Sequence, residues 1–409
     1  MGWQSPAPDT LPMMPFDDDL RLVVEQRETL SRGHARALLE DLLAGGTEAD
    51  KPGSPHSLQL AALLGAFGAR GVTAFELAGF VDAMCAAAIQ IPVTPCERTQ
   101  LVDTCGTGGD ASGTFNISTA AALVAAAAAR TTAGTPFMVA KHGNRAVTSK
   151  CGSADVLEAL GIPVGLAPAA AAAALRTHRF AFLHAPSLHP AMKAVMPVRR
   201  ALGVRTVFNV LGPLANPAGA RAQVMGVYSA HLVPVVAEAM RLLGVRHAFV
   251  VHGAAGASGP HPADGGANGF PGARNLENAG GLGAAAGPGL DELSISGPSQ
   301  IAEVRGDAIA LFELAPEQVG LRSAPVDSLR GGDAAANANI LRAIFAGERG
   351  PRRDVVLLNA AAVLIVAGAV PVSTPDRREA FRAGIELAAA TIDSGAVTRL
   401  VAALASSDA

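Results

Sequence analysis

Three stretches of the chain gather groups that can hold phosphate, sugar hydroxyls and a hard cation. The first runs Asp103-Thr104-Cys105-Gly106-Thr107-Gly108-Gly109-Asp110 and continues through Thr114-Phe115-Asn116-Ile117-Ser118-Thr119 into an alanine-rich apolar run ending near Ala129. Glycines at 106, 108 and 109 permit tight backbone angles and bare their amide N–H groups. Such amides at the start of a helix form an anion site, and Ser118 and Thr119 can cap that helix and add hydroxyl ligands. The second stretch, Lys141 to Ser153, puts two lysines, an arginine, an asparagine and three hydroxyls into one loop after a short strand. A lysine point charge, an arginine fork and backbone amides together suit a polyanion that carries sugar hydroxyls. The third is Asp291-Glu292. Adjacent carboxylates point apart on a strand but can converge on a hard cation from a loop.

Other phosphate loops fit less well. No Gly-Lys-Ser/Thr follows the glycines, which excludes a Walker A loop. Gly106 to Ala111 does match Gly-x-Gly-x-x-Ala, but a dinucleotide site expects an acidic residue about 20 positions on. There is no Asp or Glu between Ala111 and Ala154. Arginines 199, 200 and 205, set among apolar residues and proline-fixed turns, can clamp a carboxylate on an aromatic body.

These residues need a scaffold, and the hydrophobic pattern supplies one. From Leu20 to about Ile91 the apolar residues recur at helical spacing, as in Ser31–Leu43, Ser57–Arg70 and Thr73–Ala88, with Thr73 and Glu76 forming a capping box. From Leu101 short apolar strands alternate with helices: strands at 137–140, 180–183, 224–228 and 248–252, helices at 154–160, 168–175, 231–243, 353–366, 377–394 and 396–404. The expected fold class is α/β, with a small N-terminal helical domain and a larger domain built on a mainly parallel central sheet. The expected division is a loose leader over 1–17, a helical domain over 18–98 joined by helices from about 189–217, and an α/β domain over 99–409. A Gly/Ala-rich insertion over 254–288 lacks an apolar period and is expected to form a surface excursion.

Composition narrows the classes. Half of the 409 residues are hydrophobic, enough for a large core. A net charge of −3 gives no basic footprint for nucleic acid, and an aromatic content of 4% provides few platforms for stacked bases. The four cysteines form no Cys-x-x-Cys pair, so neither a zinc site nor a disulfide framework is expected. The apolar runs are too often interrupted to span a bilayer, and no secretory signal opens the chain. The expectation is a cytoplasmic protein without a membrane or nucleic-acid partner.

Taken together, GTGGD at 106–110, FNIST at 115–119, KHGNRAVTSKCGSADVLEALG at 141–161, HPAMK at 189–193, PVRRALGVRTVFNVLGPLANP at 197–217, GLDELS at 289–294, GGDA at 331–334 and LLNAAA at 357–362 resemble the anthranilate phosphoribosyltransferase family. The resemblance runs from about Leu20 to Leu404. It implies a homodimer made through the helical domain, an active site in the cleft between domains, phosphoribosyl pyrophosphate as donor, anthranilate as acceptor and Mg²⁺ as metal. By position, the resemblance assigns the donor to Gly106, Gly109, Asp110, Thr114, Asn116, Ile117, Ser118, Thr119, Lys141, His142, Gly143, Asn144, Arg145, Ala146, Val147, Thr148, Ser149 and Ser153. It assigns anthranilate to Gly106, Asn144 and Arg199, and Mg²⁺ to Ser118 and to the pair Asp291 and Glu292. Pyrimidine nucleoside phosphorylases share the two-domain plan, but their phosphate-loop pattern differs from KHGNRAV. An aromatic amine is neutral at pH 7 and already nucleophilic, so no catalytic general base is expected; positioning and electrostatics do the work.

Overall fold

The computed structural model describes residues 16–44, 53–131, 136–146, 150–256, 289–370 and 376–406. Residues 1–15 of the expected leader, 257–288 of the insertion, and Val147, Thr148 and Ser149 of the donor loop lie outside the described residues. The leader ends sooner than expected. Phe16 packs edge-on against His56, with ring centres 5.1 Å apart, and Asp17 accepts a hydrogen bond from Gln59.

The N-terminal region is built on α1 (Arg32–Ala44), α2 (Pro55–Arg70) and α3 (Ala74–Ala86). Their starts are coded locally. Ser31 Oγ accepts from His34 N–H, Ser54 caps α2 with proline at its first position, and the Thr73/Glu76 capping box is formed. Glu76 is fully buried because it does three things at once. It closes the box, accepts from Leu30 N–H at 2.9 Å and pairs with Arg70 at 2.6 Å.

The remaining chain alternates strands and helices: β1 (Leu101–Gly106), α4 (Ile117–Thr131), β2 (Met138–Gly143), α5 (Ser153–Ala159), α6 (Pro168–His178), β3 (Phe180–His184), α7 (Met196–Leu202), α8 (Phe208–Leu214), β4 (Ala222–Gly226), α9 (Leu232–Leu242), β5 (His247–Ala254), β6 (Gly289–Leu290), β7 (Ser299–Arg305), β8 (Ala308–Leu314), α10 (Ala334–Phe345), α11 (Pro351–Ala367), α12 (Arg377–Asp393) and α13 (Ala396–Ala405). The sheet order is β3-β2-β1-β4-β5-β7-β8, parallel from β3 to β5 and antiparallel beyond, with β6 paired to the end of β5. The antiparallel pair β7–β8 escaped the sequence reading. Ala308–Leu314 lies mostly on the surface at the sheet edge, so its apolar signal is diluted.

Side chains alternate across the sheet with a period of two. Val102, Ala222, Val224, Phe249 and Val251 face a core closed by α4, α11, α12 and α13. Met225, Val227, Ala248 and Val250 face the other way, onto α9, the N-terminal helices and residues of α7 and α8. Arg32 pins that second layer, bridging Asp82 at 2.7 Å and donating to the Leu242 carbonyl at 2.8 Å. Among the described residues no single helix is long and apolar enough to cross a membrane.

Candidate functional site

The topology marks a site before any side chain is considered. From β1 the chain builds outward through β2 and β3 on one side, and through β4 and β5 on the other. The order therefore reverses between β1 and β4, and ligands of open α/β sheets bind beyond the strand ends at such a switch point. Gly106 and Gly226, the last residues of β1 and β4, are register partners there. Thr107 N–H donates to the Gly226 carbonyl at 3.0 Å, which joins the glycine loop to β4.

The loop beyond Gly106 turns through left-handed backbone at Gly108 (φ 68°), Gly109 (φ 77°) and Ala111 (φ 58°). Glycine adopts this at little cost, whereas alanine at such an angle is strained by roughly 1–2 kcal/mol. Asp110 braces the turn by accepting Ser112 N–H at 3.1 Å. Helix α4 starts at Ile117, but not capped as its sequence implies. Ser118 N–H donates to Glu292 Oε1 at 3.0 Å, a carboxylate 174 residues further along the chain. Thr119 Oγ1 is buried without a partner among the described residues. Asn116 turns away from the cap to donate to the Cys151 carbonyl at 3.2 Å, and its own oxygen accepts from Asn337 at 2.9 Å.

The acidic pair emerges from β6 at the same strand ends. Asp291 accepts Gly108 N–H at 2.6 Å, Glu292 accepts Ser118 N–H, and Asp291 N–H approaches Asp110 Oδ2 at 3.4 Å. The two neighbouring carboxylates thus take one amide from the glycine loop and one from the helix start. Both are pushed towards their neutral forms. Burial is the main cause for each, with Asp110 adding repulsion; Glu292 rises to about 7 and Asp291 well above its ordinary value.

Lys141 is the cation facing them. The sequence reading put it in a loop, whereas β2 continues through Lys141 to Gly143 and the lysine is only 1% exposed. A buried ammonium must spend its donors on oxygen. It donates to the Thr104 carbonyl at 2.7 Å and reaches Ser118 Oγ at 3.4 Å. His142 donates its main-chain N–H to Asp103 at 3.1 Å, and its Nδ1 meets the Gly212 carbonyl at 3.1 Å. Burial and the neighbouring His189 lower its imidazole to about 3, so it is neutral. Asp103 also accepts from Asn216 at 2.8 Å, and burial lifts its carboxyl to about 6.

The other residues singled out from sequence have different surroundings. Gly143 lies close against Ser153, whose hydroxyl donates to the Asn144 carbonyl at 3.1 Å, so those three residues form one turn. Thr114 bridges to Arg330 at the foot of the loop. Arg145 is engaged elsewhere: its guanidinium grips Glu158 through two 2.6 Å bonds and Asp155 through one at 3.2 Å. Asp155 also accepts Ala146 N–H, at 3.0 Å. Arg199 is different again. Its guanidinium lies 5.2 Å over the Phe208 ring, meets only the Met196 sulfur and pairs with no carboxylate among the described residues. Arg205, expected with Arg199 and Arg200 to clamp a carboxylate, instead donates to the Gly109 carbonyl, and His189, Asn216 and Asp103 were not selected from the sequence as site residues. Asp103 and Asn216 had only their place inside recognisable motifs to signal them, since their role is to hold β2 and the loop after α8 together.

A hard cation fits this arrangement. The carboxylates of Asp291 and Glu292 lie with the Ser118 hydroxyl on the side of the site that Lys141 reaches, and these are the oxygen ligands a hard cation takes. Among the described residues no three His, Cys, Asp or Glu side chains converge to hold a metal unaided. Mg²⁺ binds through one or two carboxylates and fills its octahedron with water and phosphate oxygens, so Asp291 and Glu292 could supply its protein carboxylates.

Comparison with known proteins agrees with this architecture. The profile "Glycosyl transferase family, a/b domain" matches residues 98–263 and 275–398, and "Glycosyl transferase family, helical bundle domain" matches 20–88. An anthranilate phosphoribosyltransferase of Brevibacillus brevis is 46% identical over 347 residues, 85% of this chain and 87% of its own. The crystal structure of the Thermus thermophilus enzyme of that name is 37% identical, with a TM-score of 0.71 over 92% of this chain and 96% of its own. The Saccharomyces cerevisiae enzyme in complex with PRPP and Mg is 25% identical, with a TM-score of 0.72 over 93% of this chain and 94% of its own.

Proposed function

The chain belongs to the anthranilate phosphoribosyltransferase family, and from that premise we propose how its residues carry the reaction. It transfers the phosphoribosyl group of 5-phosphoribosyl 1-pyrophosphate to the amine of anthranilate, giving N-(5-phosphoribosyl)anthranilate and pyrophosphate, in tryptophan biosynthesis. One observation carries the residue-level reading. The loop amide of Gly108, the helix-start amide of Ser118, Lys141 and the acidic pair all meet at the β1–β4 strand ends.

The donor pyrophosphate binds at Gly106, Gly109, Asp110 and Asn116 to Thr119, against Lys141. His142 to Ala146 and Ser153 line the ribose side, and Val147, Thr148 and Ser149 belong to the same loop. Arg145 contributes main chain rather than its guanidinium, which Glu158 and Asp155 hold. Pyrophosphate and the two carboxylates compete for the same amides at Gly108 and Ser118. Ser118, Asp291 and Glu292 would hold Mg²⁺, which would supply charge to offset the leaving group; the yeast relative is a complex with PRPP and Mg.

At the acceptor side Gly106, Asn144 and Arg199 face anthranilate. Arg199 is half-buried and burial disfavours its charge, so a carboxylate ligand would stabilise it. The amine attacks C1 of the ribose as the C1–O bond to pyrophosphate breaks, and the amine proton leaves to solvent. Negative charge grows on the leaving group, where loop amides and Lys141 are already aimed. No strong base is required, and His142, neutral with a value of about 3, is not one.

We further propose a cytoplasmic homodimer formed through the helical region. Among the described residues, four of the six exposed large hydrophobics, Val24, Leu58, Phe75 and Ile89, fall there. The test of function is loss of anthranilate fluorescence on adding donor and Mg²⁺. Changing Asp291 and Glu292 together to Ala should abolish it at ordinary Mg²⁺. Full activity in the double variant removes the pair from the site, and sedimentation at a monomer mass removes the dimer.

A further inference from the structure

Arg205 follows α7 in a segment without regular structure, and its side chain crosses to the glycine loop. Its Nη2 donates to the Gly109 carbonyl at 2.5 Å, while its guanidinium carbon lies over Tyr228, 4.6 Å from the ring centre. Tyr228 is tied to the same loop, because its main-chain N–H donates to Thr107 Oγ1 at 3.0 Å. Arg205 therefore packs against Gly109 from the side, close enough that a methyl group at Gly109 would meet its Nε at 3.3 Å.

This contact has a geometric consequence. A trans peptide is planar, with its C=O and N–H pointing in opposite directions. Drawing the Gly109 carbonyl towards Arg205 aims the Asp110 N–H away from it. Among the described residues that N–H, like that of Gly109, has no hydrogen-bond partner, whereas Gly108 N–H is taken by Asp291. With Gly108 and Gly109 both in left-handed backbone, the intervening peptides have few other restraints. A guanidinium pinned on an aromatic face is a rigid holder, because the stacking plane fixes the direction of its N–H groups.

We infer that Arg205 is a positioning residue for the donor: it locks the Gly109–Asp110 peptide so that the Asp110 amide stands ready for pyrophosphate, and it touches neither substrate. The inference rests on the donor assignment made above. It also separates the arginines of this stretch, with Arg199 serving the acceptor and Arg205 the donor through the loop.

The test pairs kinetics with direct binding. In Arg205→Ala the donor KM should rise on the order of tenfold or more, the range expected when a charge-assisted hydrogen bond to the loop is lost. The anthranilate KM should stay within about twofold. Inorganic pyrophosphate with Mg²⁺, titrated into wild type and variant by calorimetry, should show the same loss without any reaction. Arg205→Lys, which keeps a donor for the Gly109 carbonyl, should recover part of the affinity. Tyr228→Leu should weaken pyrophosphate in the same direction, and the double variant should be no worse than Arg205→Ala alone. Unchanged pyrophosphate affinity in Arg205→Ala, an anthranilate KM rising in step, or additive losses in the double variant would each overturn the inference. If Arg205→Ala does not fold, Arg205→Lys and Tyr228→Leu read the same quantity. Wild type that binds pyrophosphate but does not consume anthranilate would instead count against the acceptor reading, and the calorimetry would still decide the role of Arg205.

Discussion

The closest approach in the site is between Gly226 and Asp291, and it makes a sharp test. A methyl group at Gly226 would overlap the main-chain carbonyl of Asp291 and stand 3.0 Å from its Cα, against an ordinary contact of 3.4 Å or more. β4 cannot yield easily, because it pairs with β1 from Ala222 to Gly226 and with β5 over the same residues. The Asp291 turn must move instead, by roughly 1–2 Å if carbon and oxygen are to regain normal separation. Misplacing a catalytic group by about 1 Å can cost about 100-fold, which is about 2.7 kcal/mol of barrier. Overpacking should also lower stability by roughly 1–3 kcal/mol. Gly226→Ala should therefore fold with a reduced melting point and lose about 100-fold in kcat/KM, with a raised Mg²⁺ requirement. Anthranilate fluorescence across a Mg²⁺ series and thermal denaturation measure both. A folded variant whose kcat/KM stays within about threefold, with unchanged Mg²⁺ dependence, would refute the placement of Asp291 at the reacting end of the sheet.

Arg199→Ala should raise the anthranilate KM far more than the donor KM, by the loss of roughly 1.5–3 kcal/mol of charged hydrogen bonding; equal KM values for anthranilate in variant and wild type would remove Arg199 from the acceptor site. Asp103 gives a pH signature. Burial raises its carboxyl from 3.8 to about 6, so the folded chain holds that proton more tightly than the unfolded chain. This contribution falls by up to about 3 kcal/mol as pH rises from about 4 to about 6, then stays level. Asp103→Asn lacks this titration, so the stability gap between wild type and variant should narrow over that range, and a constant gap from pH 4 to 7 would contradict it. Deleting residues 257–288 should be tolerated, because Ala254 pairs with Gly289 and the cut leaves Ala255-Gly256 as a two-residue hairpin loop. A tenfold loss of kcat in a folded deletion variant would show that the segment serves the reaction.

The sequence carried some parts of this fold more openly than others. Helix starts were legible because their code is local: Thr73 and Glu76 sit three residues apart and need nothing else to form their box. Buried strands were legible as short apolar runs, yet their ends were not. β2 runs on through Lys141, whose charge broke the hydrophobic pattern, because the Thr104 carbonyl on the neighbouring strand satisfies the ammonium. The partner that makes this possible is 37 residues away, and no window along the chain contains both.

The site shows the same division more sharply. A glycine loop followed by a helix start announces an anion site in any sequence, and an Asp-Glu pair announces oxygen ligands. What neither stretch discloses is that the two meet, Asp291 on Gly108 and Glu292 on Ser118 across more than 170 residues. The sheet order decides it. Reversal between β1 and β4 leaves a crevice at their ends, and β6, short and paired only with the end of β5, delivers the acidic pair into it. The same reversal explains why Gly106 and Gly226 must both be small. They are the register partners that flank the crevice, and Asp291 packs against both. In sequence they look like two unrelated glycines; in the sheet they are the two walls of one slot, and a side chain on either would push the acidic turn out of it.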